Sequence, residues 1–365
     1  MCSGESLKDG LTGPAQATKI VRQFCLFWTQ KWRELRRKNP TFGHALLMFG
    51  FSVALSACST HGGASNSPTA TTSGAGHSRP VPDESIGKPV SVAKSPIDGL
   101  SCVGGGFCMA ASSDGTIYRF NGQSWTLSVR TPDTTSSGSG VGNPTVYCAN
   151  SQMCLGKLAD SILTVFDGSS WSQPSHIPGA QPIGAIGCSP SGSCLAIDAI
   201  GDGFLYRNGQ WSTAFNAWGS AVSISCVSAE FCAAAGGGVS FWNGSYWTKP
   251  VAADPSGLPT AISCSSTKFC VLVDDKGRTM TWNGVLWSVP ERVGTDRLSA
   301  VSCVSSRWCI AVGNGEEVVE FDGTSWRRVP VRAGKMDFTS VSCDAVASCK
   351  LGDSKGQVTS LHIKP

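Results

Sequence analysis

Seven times along this chain, two cysteines stand with five residues between them. The pairs are Cys102/Cys108, Cys148/Cys154, Cys188/Cys194, Cys226/Cys232, Cys264/Cys270, Cys303/Cys309 and Cys343/Cys349. They take 14 of the 17 cysteines and leave only Cys2, Cys25 and Cys58 outside. Successive first cysteines lie 46, 40, 38, 38, 39 and 40 residues apart. A period near 40 is the mark of a repeat architecture, and it governs the reading of every local motif.

One unit, residues 299–331, reads SAVSC-VSSRW-CIAVG-NGEE-VVEFDGTSWRRVPV. It holds four short runs rich in Val, Ile, Phe and Trp, each of strand length and separated by turn residues. The third turn is Asp322-Gly323, with counterparts Asn121-Gly122, Asp167-Gly168, Asn208-Gly209, Asn243-Gly244 and Asn283-Gly284. Asn-Gly and Asp-Gly tolerate the positive φ angles that tight hairpins demand. A tryptophan follows each: Trp125, Trp171, Trp211, Trp247, Trp287 and Trp326. A lone four-stranded sheet cannot bury such a Trp, whereas sheets stacked radially can. The pattern predicts an all-β, seven-bladed propeller of four-stranded antiparallel blades, with the Trp row packed between blades.

The chain ends agree. The seventh unit stops at Pro365 without a turn-Trp strand, while an alternating run, Gly87 to Ser95, precedes the first unit. That run is expected to supply the outer strand of blade seven, closing the ring and removing its exposed edges. The predicted boundaries are residues 1–57 for an N-terminal extension with signal peptide, 58–87 for a linker and 88–365 for the propeller.

Each cysteine pair would join the end of the first strand to the start of the second. Opposed hairpin residues have Cα atoms about 4.5–5.5 Å apart, inside the roughly 4.4–6.8 Å that disulfides require. Zinc knuckles use C-x2-C with more ligands, and redox pairs use C-x-x-C; neither spacing is present. The expectation is seven structural disulfides with no metal and no cofactor. Each closes a short loop, contributing about 2.4 kcal/mol in the chain-entropy picture. Such a fold belongs in an oxidising, extracytoplasmic compartment.

The N-terminal region points the same way. Lys31, Arg33, Arg36, Arg37 and Lys38 precede the apolar run Ala45 to Leu55, followed by Ser56, Ala57 and Cys58. A basic stretch, a short apolar core and small residues describe a secretory signal, and the core is too short to span a bilayer comfortably. LSAC resembles the lipobox of bacterial lipoproteins, which implies a diacylglycerol thioether on Cys58 and attachment to the outer face of the cell membrane. Residues 59–87 are dominated by Ser, Thr, Gly, Ala and Pro, a composition expected to form a flexible coil of about 30 Å mean span. Past residue 57 the chain has 21 basic against 22 acidic residues, so no cationic face for nucleic acid is expected.

VSAEFCAAAGGGVSFWNGSYW (Val227 to Trp247) and SSTKFCVLVDDKGRTMTWNGVLW (Ser265 to Trp287) resemble cysteine-paired propeller repeats of exported actinobacterial proteins and of some bacterial receptor kinases. The resemblance implies a fold and an exported setting, and no particular activity. The cysteine hairpins and Asn-Gly turns would share one face, both occupied structurally. The opposite face carries the candidate binding residues Asp202, Trp218, Asp274, Asp275, Lys276, Glu316 and Glu317, among other loop charges such as Asp160. The favoured function is a membrane-anchored, monomeric module that holds an envelope protein or glycan, with no catalytic residue assigned. The alternative is a carbohydrate-active hydrolase or lyase using carboxylates of that face; the small residues of AISC, AVSC and SVSC at the axis speak against it.

Overall fold

The computed structural model describes residues 85–363, except 105, 131–143, 160, 213–214, 254–255 and 332–335. The expectations for the signal, Cys58 and the linker lie outside the described residues, as does Asp160. Seven antiparallel sheets and no helix make up the described residues. Blade one is typical, with strands Ile97–Val103, Phe107–Ser112, Thr116–Asn121 and Trp125–Arg130 running from the axis outward. The innermost strands of blades two to seven are Thr145–Asn150, Ile183–Cys188, Ala221–Ser228, Pro259–Ser266, Leu298–Ser305 and Phe338–Ala345.

The core is divided among the blade junctions. Among the described residues there are seven apolar clusters, and each spans two adjacent sheets. Phe107, Met109 and Ile117 of blade one meet Val146, Leu158 and Phe166 of blade two, for example. The Trp row packs there as its spacing implied: the Trp287 ring of blade five stacks 6.5 Å from the Phe241 ring of blade four, and Trp171 Nε1 donates to Ser128 Oγ of blade one at 2.8 Å. The seventh cluster joins Val358 of blade seven to Ile97 and Ala110 of blade one.

Blade seven takes its outer strand from the other end of the described chain. Ser85–Ile86 and Val90–Ser91 both pair with Gln357–His362, in the registers Ser85↔His362 and Val90↔Val358. Among the described residues, pairing therefore starts at Ser85, two residues before the expected run.

All seven disulfides are formed: Cys102–Cys108, Cys148–Cys154, Cys188–Cys194, Cys226–Cys232, Cys264–Cys270, Cys303–Cys309 and Cys343–Cys349. The two cysteines of every pair are directly opposed in register. One expectation about them needs correction. The Cα separations are 3.9–4.1 Å, below the range anticipated for hairpin pairs. The cause is the register. These cysteines hold the narrow ladder position, where N–H groups point away from the paired strand, toward the preceding blade.

The hairpins reach the turn face, and the second cysteine of each pair lies below it. Cys108, Cys154, Cys194, Cys232, Cys270, Cys309 and Cys349 are all buried, none more than 3% exposed. Each belongs to a second strand, and that strand is covered on both faces by neighbouring blades. Six of them sit within the apolar clusters: Cys154, Cys194, Cys232, Cys270, Cys309 and Cys349. Their sulfurs fill the core in addition to closing the hairpin.

Beside the cysteines a serine belt ties blade to blade. The N–H groups of Cys102, Cys148, Cys264, Cys303 and Cys343 donate to the hydroxyls of Ser342, Ser101, Ser225, Ser263 and Ser302 of the preceding blade, at 2.8–3.1 Å. Blades two and three carry Tyr147 and Gly187 at the belt position instead.

Two local departures have simple causes. Only Asn208 among the turn Asn and Asp residues has positive φ (54°), because blade three's shortened Asn-Gly loop is a two-residue hairpin. In the other blades the residue before Gly keeps ordinary φ and its side-chain oxygen accepts two backbone N–H groups, as Asn283 does from Val285 and Leu286. The outer strand of blade four shrinks to the bridges Val239↔Val251 and Trp242↔Trp247. Pro250 lies between them, and proline cannot donate to a ladder.

Candidate functional site

The inner strands frame an axial cavity of about 700 Å³, and all seven blades line it. Six inner strands begin with a β-bulge, between Ile97 and Gly99, Ile183 and Ala185, Ala221 and Ser223, Pro259 and Ala261, Leu298 and Ala300, and Phe338 and Ser340. A bulge inserts one unpaired residue and re-aims its side chain. The inserted residues are Asp98, Gly184, Val222, Thr260, Ser299 and Thr339, and all six line the cavity. Thr260 and Thr339 spend their hydroxyls on the next blade, donating to Leu298 O (2.7 Å) and Ile97 O (2.6 Å).

Charge enters this ring at three places. Lys157 is fully buried, and its Nζ donates to Ile183 O at 3.1 Å and Gly184 O at 3.4 Å. Arg297 stands exposed at the rim. Asp98 is half-buried; loss of hydration pushes its carboxyl up to about 6, against the opposing pull of Lys157. Deeper in, burial pushes the Tyr147 phenol up, and the Ser225 hydroxyl interacts with it from two blades away. Blade three, between them, carries Gly187. The cavity is thus a cup, with Tyr147 toward the cysteine end and the bulge ring at its mouth. The cysteines add no reactive group to it, since all seven pairs are bonded and Cys108, Cys154, Cys194, Cys232, Cys270, Cys309 and Cys349 are buried between blades.

Sequence reasoning missed Asp98. It took the inner strands to offer only small residues, whereas blade one reads IDGLSC and its bulge places a carboxylate at the axis. The Asp within an otherwise apolar strand start was the available signal.

The expected binding residues lie on the face of the cup's mouth but do not converge. Asp274 is buried and structural: Oδ1 accepts from the N–H groups of Lys276 (3.0 Å) and Arg278 (2.8 Å), and Oδ2 pairs with the Arg278 guanidinium at 2.6–2.7 Å. Glu317 is likewise buried, paired with Arg328 and accepting from Thr295 Oγ1 at 3.0 Å. Asp275 accepts from Leu258 N at 2.9 Å, and Lys276 Nζ donates to Ser256 O. Glu316 adopts φ 63°, and its N–H donates to Met336 O. Asp202 opens its strand with its N–H on Asp198 Oδ1.

Trp218 is the exposed aromatic of this face. It holds φ 65°, its Nε1 donates to Trp247 O at 3.2 Å, and Lys249 Nζ lies 5.4 Å from its ring. Its charged neighbour is a lysine, where carboxylates were expected. Among the described residues, no three His, Cys, Asp or Glu side chains gather as a metal site.

No family model matches this chain, and no curated protein matches it in sequence. Solved structures match its fold. YCF48 bound to D1 peptide is 15% identical over 76% of this chain and 95% of its own, with a TM-score of 0.60. The WD40 β-propeller domain of Doa1 is 11% identical over 76% and 97%, with a TM-score of 0.61. A catalytically inactive virginiamycin B lyase from Staphylococcus aureus, with quinupristin, is 9% identical over 77% and 100%, with a TM-score of 0.62. At these identities the likeness is one of fold.

Proposed function

We propose that the chain is a lipid-anchored, extracytoplasmic binding module that holds a segment of an envelope protein in the axial cup. The cup carries this reading. Its volume falls within the ~300–1,000 Å³ of well-formed ligand sites. Its mouth presents a half-hydrated carboxylate, a guanidinium and backbone freed by bulges, which suits a polar, extended chain. A peptide-bound propeller among the fold relatives supports this choice over a glycan. Attachment through Cys58 and the cell-membrane location rest on the signal-like N-terminal sequence.

A hydrolase or lyase is the second reading, favoured by the raised pKa of Asp98. Carboxylate-driven glycoside cleavage needs a second acid about 5–10 Å away. Asp274 and Glu317 are held in ion pairs and do not line the cup.

Proximity labelling on intact cells tests the binding reading, with wild type compared with Asp98→Asn, Arg297→Ala and Cys58→Ala. The expected result is a partner enriched by wild type and lost with the cup variants while folding is kept. Equal enrichment by wild type and both cup variants would exclude the cup as the site. Turnover of an envelope glycan by wild type but not Asp98→Asn would establish the second reading.

A further inference from the structure

The face opposite the cup's mouth carries the cysteine hairpins and the outer turns. The two sets lie together: a Cβ built on Gly284 would sit 3.1 Å from Lys268 Cγ, and one on Gly323 would sit 3.1 Å from Arg307 Cα. In blades one, two and six the residues after Gly in these turns are polar: Gln123 and Ser124, Ser169 and Ser170, Thr324 and Ser325. Blades four and five depart from this. Tyr246 is 62% exposed, Val285 74% and Leu286 67%. Their turns are rigid, since Asn243 and Asn283 each cap two backbone N–H groups at 2.9–3.1 Å. Three large apolar side chains are therefore held out into solvent on adjacent blades; exposed Lys268 lies beside the turn of blade five, while Glu230 holds that place in blade four and Arg307 in blade six.

The chain joins the disc on this same side. Strand Gln357–His362 runs from the cup face to the turn face, and Ser85 pairs with its last residue, His362. Everything before Ser85, including Cys58, is thus covalently continuous with the turn face. A tether entering there brings that face to the bilayer first, whereas presenting the cup would require the chain to pass around the rim.

We propose that the turn face of blades four and five is a membrane-docking surface. Tyr246, Val285 and Leu286 enter the headgroup boundary, with Lys268 beside anionic headgroups and Glu230 turned to solvent. Amphipathic Tyr and short aliphatic side chains beside a lysine suit that boundary. This rests on the anchored reading above, and it points the cup away from the membrane toward its partner.

The test uses the full lipidated chain on vesicles of phosphatidylethanolamine and phosphatidylglycerol. Flotation against Cys58→Ala examines the anchor alone. Hydroxyl-radical footprinting of the floated wild type then reads the orientation without substitution. Oxidation of Tyr246 and Leu286 should fall about threefold relative to the unanchored chain, while Trp218 on the cup face stays unchanged. Flotation with Tyr246 and Leu286 as reactive as in solution would overturn the docking surface and leave the anchor standing. Protection of Trp218 in their place would reverse the orientation. Failure to float would remove the anchor on which both depend.

Discussion

Asp98 is the residue whose chemistry departs furthest from its surroundings' needs. The strand that carries it would be more stable with a neutral side chain, since burial raises its carboxyl from 3.8 to about 6. A carboxyl with a folded pKa above its unfolded value binds more protons folded than unfolded. Stability therefore falls as pH rises from about 4 to 6. Asp98→Asn should stabilise the protein by about 1 kcal/mol at pH 7.5, the full linkage value being reduced because the side chain is partly hydrated. At pH 4 the variant and wild type should melt together. Thermal melts at the two pH values check this, and a variant destabilised at pH 7.5 would show that the carboxylate holds the bulge together. A carboxyl perturbed in this way and lining a cavity fits the proposed cup site. The sequence displayed Asp98 plainly, but its aim depends on a bulge, and a bulge follows from pairing across strands rather than from local composition. Asp274 and Glu317 were misjudged in the opposite direction. Both stood among the loop charges taken as binding candidates, yet their arginine partners lie only four and eleven residues on, at the start of blade five's third strand and the end of blade six's fourth.

At the scale of the element, spacing carried most of the information. Cysteine pairs, turn glycines and the Trp row are all positions where one residue type satisfies a fixed geometry, so seven copies reveal strand order directly. Spacing did not reveal depth: it paired Cys270 with Cys264 and Cys349 with Cys343, but that the second sulfur faces a neighbouring blade depends on how sheets stack. The serine belt was visible as the recurring S-C of SISC, AISC, AVSC and SVSC, but its role was not, because its partner lies about 40 residues away in the next blade. That role is measurable. Ser263→Ala would leave the Cys303 N–H, now 2.9 Å from the hydroxyl, without its acceptor. The expected loss is about 1–2 kcal/mol in urea melts of the oxidised protein. Ser299→Ala, one bulge position on the adjacent blade, should change stability by less than ~0.5 kcal/mol. Equal losses would mean that the belt bond contributes nothing particular. The broken outer strands have a residue-level cause as well: Pro174, Pro250 and Pro290 each fall where a fourth ladder would run, while blade one has none there and keeps a six-residue strand.

For the whole molecule, closure is the decisive event, and the seam between blades seven and one is unlike the others. Its buried cluster is small, built on Ala93, Ile97, Ala110 and Val358, whereas the junction of blades six and seven buries Trp308, Ile310, Phe338 and Leu351 among others. Polar contacts reinforce the seam: Thr339 Oγ1 and Ser340 Oγ both donate to Ile97 O, and Cys102 N–H donates to Ser342 Oγ. Lys350 crosses it with its Nζ 4.7 Å from the Phe120 ring, its pKa lowered by burial. Ile97 is the central apolar side chain, and Gly352 admits it, since a Cβ there would lie 2.7 Å from Ile97 Cγ2. Ile97→Ala should cost about 2–5 kcal/mol as a cavity substitution, and the loss should be local. Amides of Gln357–His362 should then exchange with solvent much faster, while those of Phe269–Asp274, on the far side of the ring, change little. Uniform acceleration of both strands would show that the disc opens as a single cooperative unit. In that case the seam would have no weakness of its own, and the borrowed N-terminal strand would serve as one more blade edge rather than as the latch of the ring.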